Sequence, residues 1–123
     1  SDNFNDYSSV IKISFLNTSF LFTGDAENFT KDYLISNNCN LKSDVLKVGH
    51  HGSSTSSSLK FLKAVNPSVA IISVGNNNTY GHPSLQTLTS LKNMNIDTYR
   101  TDLNGTIILS SNGNIINITL SSK

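Results

Sequence analysis

An α/β fold, with a mixed sheet, helices and an antiparallel hairpin at each end, is predicted from three observations. Short runs of strand formers alternate with segments of helical spacing through the middle of the chain. Turn signals pair two strands near the start and two near the end. The 123 residues, 37% hydrophobic and 14% charged, suit one globular domain, residues 1–123, built on a single core.

Ser9 to Phe15 reads as a strand, Asn17-Thr18-Ser19 as a turn, and Phe20 to Phe22 as a second strand stopping at Thr23-Gly24. Ala26 to Ile35 predicts a helix with Asp25 at or near its N-cap and with Ala26, Phe29, Tyr33 and Leu34 as its apolar positions. Val45 to Val48 is a strand, broken by Gly49 before His50, His51 and Gly52. Ser58 to Val65 predicts a helix with Leu59, Leu62 and Phe61 inward, stopped by Asn66-Pro67. Val69 to Val74 is a nearly continuous apolar run, the pattern of a strand buried on both faces and the candidate for a central one.

A polar loop, Gly75 to Pro83, follows. Ser84 to Asn93 then predicts a helix with Leu85, Leu88 and Leu91 three residues apart. Asp97 to Arg100 is a short strand and Thr101 to Gly105 a turn. Thr106 to Ser110 and Ile115 to Leu120 close the chain as a hairpin around Asn112-Gly113.

Composition excludes several classes. A formal net charge of +1 gives no general basic field, so nucleic-acid binding would have to be local. The single cysteine, Cys39, excludes an internal disulfide framework. No run approaches the roughly 18 apolar residues of a membrane span, and SDNFNDYSS lacks the regions of a signal peptide. A start without methionine, leading quickly into a strand, suits a domain excised from a larger protein.

On this reading the loops around Asp25, His50 and His82 each follow a strand and precede a helix, and all three histidines of the chain lie in them. In an open α/β sheet such loops gather at the carboxyl edge of the strands, where ligands bind. Taken alone, Thr-Gly-Asp before a helix is an N-cap signature and Gly-His-Pro a turn. A His-His pair between glycines, followed by a serine-rich segment, is harder to explain as structure. One aspartate and three histidines suit a borderline metal such as zinc or manganese. Tyr80, Lys47 and Arg100 read by themselves as structural or solvated.

Four stretches carry a resemblance: FLFTGDAE (residues 20–27), VLKVGHHGSSTSSS (45–58), VNPSVAIISVGNNNTYGHP (65–83) and YRTDLNGTI (99–107). In order, over nearly the whole chain, they are similar to the C-terminal metallo-β-lactamase-like domain of ComEC-type DNA-internalisation proteins. The resemblance implies a four-layered αββα sandwich with two metals at one edge. Asp25 would bridge the metals and His50 would bind one, with His51 as the alternative ligand. Asp25, His50 and His82 are the candidate catalytic residues. His51, Ser53, Thr55 and Tyr80 are the candidate substrate-binding ones.

The family's upstream His-x-His-x-Asp-His loop has no counterpart in this sequence, whose first histidine is His50. The chain therefore resembles the C-terminal half of the sandwich, inactive as it stands, with weak or no metal binding and an apolar face that homodimerisation would cover. The resemblance further implies hydrolysis of phosphodiesters in the non-imported, single-stranded DNA of natural competence. It implies a polytopic membrane channel in the same protein and a soluble domain on the outer side of a bacterial membrane. Two alternatives stand beside it: another hydrolase of the same fold, acting on phosphorylcholine, a thioester or a lactam, and a non-catalytic single-stranded DNA-binding or assembly domain.

Overall fold

The computed structural model describes residues 10–26, 28–49, 52, 58–75 and 81–121. Strands β1 (Ile11–Phe15) and β2 (Thr18–Phe22) form a hairpin. Phe15 pairs with Thr18, so the loop is Leu16-Asn17, one residue earlier than expected, and Leu16 adopts the left-handed conformation that tight hairpin loops require. There follow α1 (Asn28–Ser36), β3 (Val45–Lys47), α2 (Leu59–Val65), β4 (Val69–Ile72), α3 (Leu85–Asn93), β5 (Asp97–Arg100), α4 (Thr101–Asn104), β6 (Ile107–Ser111) and β7 (Ile116–Leu120).

The larger sheet has the order β1-β2-β3-β4-β5, with β1 antiparallel to β2 and the other neighbours parallel. β6 and β7 form a second, antiparallel sheet. The predicted mixed sheet with a hairpin at each end is therefore present. β4 is interior, as its apolar run requires, although β3 occupies the centre.

Cross-strand register sorts the side chains into two faces. Leu21, Leu46 and Ala70 align across β2, β3 and β4. With Val48 and Ile72 they pack against Phe61, Leu62 and Val65 of α2 and Leu91 of α3 in one buried cluster. The opposite face carries Ile13, Phe20, Phe22, Val45, Lys47 and Ile71, and the β6–β7 hairpin lies over it. A cavity of about 480 Å³ remains between them, closed on the hairpin side by Ile107 and Leu109. The layers are thus helix, sheet and a partial second sheet, with Ile11, Ile13 and Phe15 still about half exposed.

Hydrogen bonds fasten the hairpin's turn to the opposite end of the chain. Asn17 N–H donates to the Gly113 carbonyl at 2.7 Å, Asn17 Nδ2 to Asn114 Oδ1 at 2.7 Å, and the Thr18 and Ser111 hydroxyls meet at 2.7 Å.

The helices form where expected but bury different faces. In α1, Phe29 and Tyr33 are 65% and 62% exposed, whereas Lys31 is fully buried, its ammonium 4.7 Å from the centre of the Phe61 ring. α1 packs against α2, and a cation over an aromatic face recovers part of what burial of the charge costs. The helix begins at Asn28, so Asp25 is not its N-cap but lies in the preceding turn, which Ala26 N–H closes onto the Thr23 carbonyl at 2.9 Å. Leu59 and Leu85, the first residues of α2 and α3, are exposed, Leu85 by 80%. A serine caps each of these helices: Ser58 Oγ accepts from Phe61 N–H at 3.2 Å and Ser84 Oγ from Thr87 N–H at 3.1 Å.

Thr101 to Asn104, expected as part of a turn, is instead the helical turn α4. Its first residue clamps the end of the neighbouring strand: Val74 N–H donates to Thr101 Oγ1 at 2.8 Å, and Thr101 Oγ1–H donates to the Val74 carbonyl at 2.9 Å. Arg100 forks onto Asp102 at 3.0 and 2.6 Å, a pairing that lowers the Asp102 carboxyl below its ordinary range. Thr101→Val keeps the shape and removes both bonds to buried Val74. We expect it to cost about 1–3 kcal/mol, the penalty of stranding a buried backbone donor, read as a lowered urea midpoint. An unchanged midpoint would show that the clamp does not hold the strand end.

Candidate active site

β2, β3 and β4 run parallel, so the segments leaving them emerge at one edge of the sheet. Thr23-Gly24-Asp25 leaves β2, the histidine loop leaves β3, and the loop bearing His82 follows β4. Two glycines bring these segments together. A Cβ on Gly49 would lie 2.6 Å from the Gly24 carbonyl oxygen and 2.7 Å from Thr23 Oγ1, so the absence of a side chain lets the histidine loop start flush against the turn that presents Asp25. Thr23 Oγ1 also donates to the Lys47 carbonyl at 3.3 Å.

Gly52 performs the same service at the other end of that loop. Its φ is +79°, and an added Cβ would meet Pro83 Cβ at 2.7 Å. Its N–H donates to the Gly49 carbonyl at 3.0 Å, and its own carbonyl accepts from Ser84 N–H at 2.9 Å. Residues 49 and 52 are therefore pinned to the Asp25 turn on one side and to His82-Pro83-Ser84 on the other. The three loops singled out from the sequence do converge, as far as the described residues go.

Asp25 is exposed in its turn and His82 is half-buried. His50, His51, Ser53, Thr55 and Tyr80 lie outside the described residues. Lys47, at the carboxyl end of β3, is half-buried on the hairpin-covered face. Burial pushes its ammonium below the ordinary lysine value, and the nearby Asp25 carboxylate opposes that shift. The sequence reading missed the proximity of Lys47 to Asp25. Strand alternation carried the signal, since Lys47 falls on the same face as Val45 two residues before it.

Asp25 and His82 stand at this edge, and a carboxylate and an imidazole are of the kinds that hold a borderline divalent ion, as are the imidazoles that the sequence puts at positions 50 and 51. The described residues alone gather no group of three such donors. None of the helices among the described residues is long and apolar enough to cross a membrane.

The family model described as Metallo-beta-lactamase superfamily matches residues 3–76, more than half of the chain, and takes in Asp25 and both adjacent histidines. The chain belongs to the metallo-beta-lactamase superfamily. Proteins of this superfamily are generally hydrolases and usually bind divalent metals. The layering of helices, mixed sheet and antiparallel second sheet is consistent with that membership.

Among curated relatives, the chain is similar to ComE operon protein 3 of Bacillus subtilis (strain 168), at 45% identity over 89 residues, 72% of this chain and 12% of the relative. Competence protein ComA of Neisseria gonorrhoeae is 38% identical over 104 residues, 84% of this chain and 15% of the relative. Recombination protein 2 of Haemophilus influenzae is 47% identical over 79 residues, 64% of this chain and 10% of the relative. The chain thus spans a small part of the length of the relatives it matches, and the resemblance to competence proteins extends to that part.

Proposed function

We propose that residues 1–123 form the C-terminal part of a metal-dependent phosphodiester hydrolase domain that cleaves DNA during its uptake. The observation that carries the reading is the docking of the Asp25 turn and the His82 loop onto the two ends of the histidine loop, through Gly49 and Gly52. Proteins of this superfamily are generally hydrolases, and competence proteins, such as the relative named ComA, act in DNA uptake, which supports DNA as the substrate.

When bound, a pair of divalent ions lowers the pKa of a water molecule and offsets the negative charge that grows on phosphate oxygens. The chain's own residues would divide the remaining work. Asp25 and His50 would supply metal ligands, with His51 as the alternative to His50. Ser53 and Thr55 would hydrogen-bond the phosphate, and His51 and Tyr80 would line the strand's path. His82, on a loop fixed by the Ser84 to Gly52 bond, would contact the substrate and deliver a proton to the leaving oxygen. Zinc and manganese both suit the donor types.

The incompletely covered sheet face supports the further reading that another layer belongs on it, either the other half of an αββα sandwich or a second copy of the chain. A polytopic channel in the same protein, on whose outer side this part would sit, is proposed from the similarity to competence proteins.

The test is cleavage of end-labelled single-stranded and duplex DNA by the full-length protein with zinc or manganese, and with EDTA. Metal-dependent cutting that EDTA abolishes is expected. Salt-sensitive DNA binding without cleavage under any metal would overturn the hydrolase reading in favour of a binding module. Reading the coding sequence upstream of Ser1 adds a second check: a His-x-His-x-Asp-His segment preceded by apolar spans is expected there.

A further inference from the structure

Among the described residues that line the cavity under the hairpin, Lys47 is the charged one. Its cross-strand neighbours are Phe22 and Ile71, and Val45 precedes it on the same face. Ser73 and Thr101 also line this cavity, the Thr101 hydroxyl being engaged by the Val74 backbone. An ammonium in such surroundings loses hydration, and the shift of its pKa below the ordinary value records that loss.

The carboxylate that offsets this belongs to Asp25, which the proposed function assigns to metal. Once that carboxylate is engaged, an anion entering at this edge can take its place beside the ammonium. Lys47 also ends β3 and stands two residues before Gly49, where the histidine loop meets the Asp25 turn, so an anion it holds lies at the edge where the three loops converge.

We infer that Lys47 is a phosphate-binding residue that grips the backbone of a single DNA strand beside Asp25. The choice of DNA rests on the proposed function. The anion site itself rests on the placement of the cation. Lysine suits the task because it offers a compact charge on a long stem.

The experiment is binding of a fluorescein-labelled, cleavage-resistant phosphorothioate dT oligonucleotide to the full-length protein in manganese, across a salt series, for the wild type, Lys47→Met and Lys47→Arg. Methionine keeps an unbranched apolar stem and removes the charge. We expect it to weaken binding about tenfold and to make the slope of log affinity against log salt shallower by about 0.7, the share of one phosphate contact on a single strand. Arginine should restore the slope. Excess inorganic phosphate should compete weakly if the site takes a strand, and fully if it takes the free anion.

A methionine variant with unchanged affinity and slope would overturn the inference, as would a wild type whose binding is insensitive to salt. Full competition by inorganic phosphate would overturn the assignment to a strand. Thermal melting of each variant separates this effect from unfolding, and if Lys47→Met fails to fold, Lys47→Gln carries the same comparison. In cleavage assays Lys47→Met should raise KM and leave kcat nearly unchanged. Cleavage with the wild-type KM sinks the role of Lys47 while sparing the hydrolase. Salt-dependent binding lost in Lys47→Met, together with no cleavage by the wild type, sinks the hydrolase while sparing Lys47.

Discussion

Asp25→Ala in the full-length protein should reduce metal-dependent DNA cleavage by at least about 100-fold. Even outer-shell partners of a metal site are worth roughly 10–100-fold, so loss of a ligand should cost no less. The fold should survive. Asp25 is exposed, and the turn that presents it is closed by backbone, through Ala26 N–H on the Thr23 carbonyl, and buttressed by Gly49, none of which involves the carboxylate. The expected signature is therefore a thermal midpoint close to wild type together with reduced metal content by atomic emission. His50→Ala should behave alike. Undiminished cleavage with unaltered metal content in either variant would remove that residue from the site.

Gly52→Ala should damage both stability and cleavage although it takes away no polar side chain. Two costs combine. An L-residue at φ +79° pays about 1–2 kcal/mol for left-handed backbone. The new methyl would stand 2.7 Å from Pro83 Cβ and 3.2 Å from its Cα, an overpacking that costs about 1–3 kcal/mol more unless the loop retreats. Retreat breaks the Ser84 to Gly52 hydrogen bond, separates the His82 loop from the histidine loop and loosens the start of α3, which Ser84 caps. We expect a lowered denaturation midpoint and a fall in cleavage larger than that midpoint explains at the assay temperature. A variant with wild-type stability and wild-type turnover would show that the two loops do not act as a unit.

The order of elements was legible because punctuation and period agree: Gly24, Gly49 and Asn66-Pro67 fall where the spacing changes between 2 and 3.6, and Asn112-Gly113 falls between two runs of period 2. The faces of the helices were less so. α1, α2 and α3 span two turns or so, too few residues to fix a helical phase, and their first residues, Leu59 and Leu85, lie exposed despite being apolar. Lys31 turned inward because Phe61, on another helix and 30 residues later, offers its ring, which no local pattern announces.

At the site, Asp25 and the glycines around the histidines were recognisable from residue type and position. The clamp of Thr101 on Val74 was not, since it joins residues 27 apart through a helical turn that reads locally as Asn-Gly punctuation. The strongest part of the site reading came from loops following parallel strands, where topology does the gathering. Asp25, expected at or near the N-cap of α1, lies in the turn just before it. The same chemistry that makes aspartate a good cap makes it a good ligand, and α1 begins three residues later.

The fastening of Asn17 and Thr18 to residues 111–114 has a kinetic meaning. These bonds close loops of 93 to 97 residues, among the longest the chain permits, and each closure must be met from chain entropy before any contact rewards it. During synthesis the first hairpin emerges long before its tether exists, and the sheet face over which Ile107 and Leu109 close waits in water until β6 and β7 arrive. Release of the nascent polypeptide before Asn114 would leave that apolar face without its cover and prone to associate with another copy. Completion of β6 and β7 thus helps to keep the first strands out of aggregates.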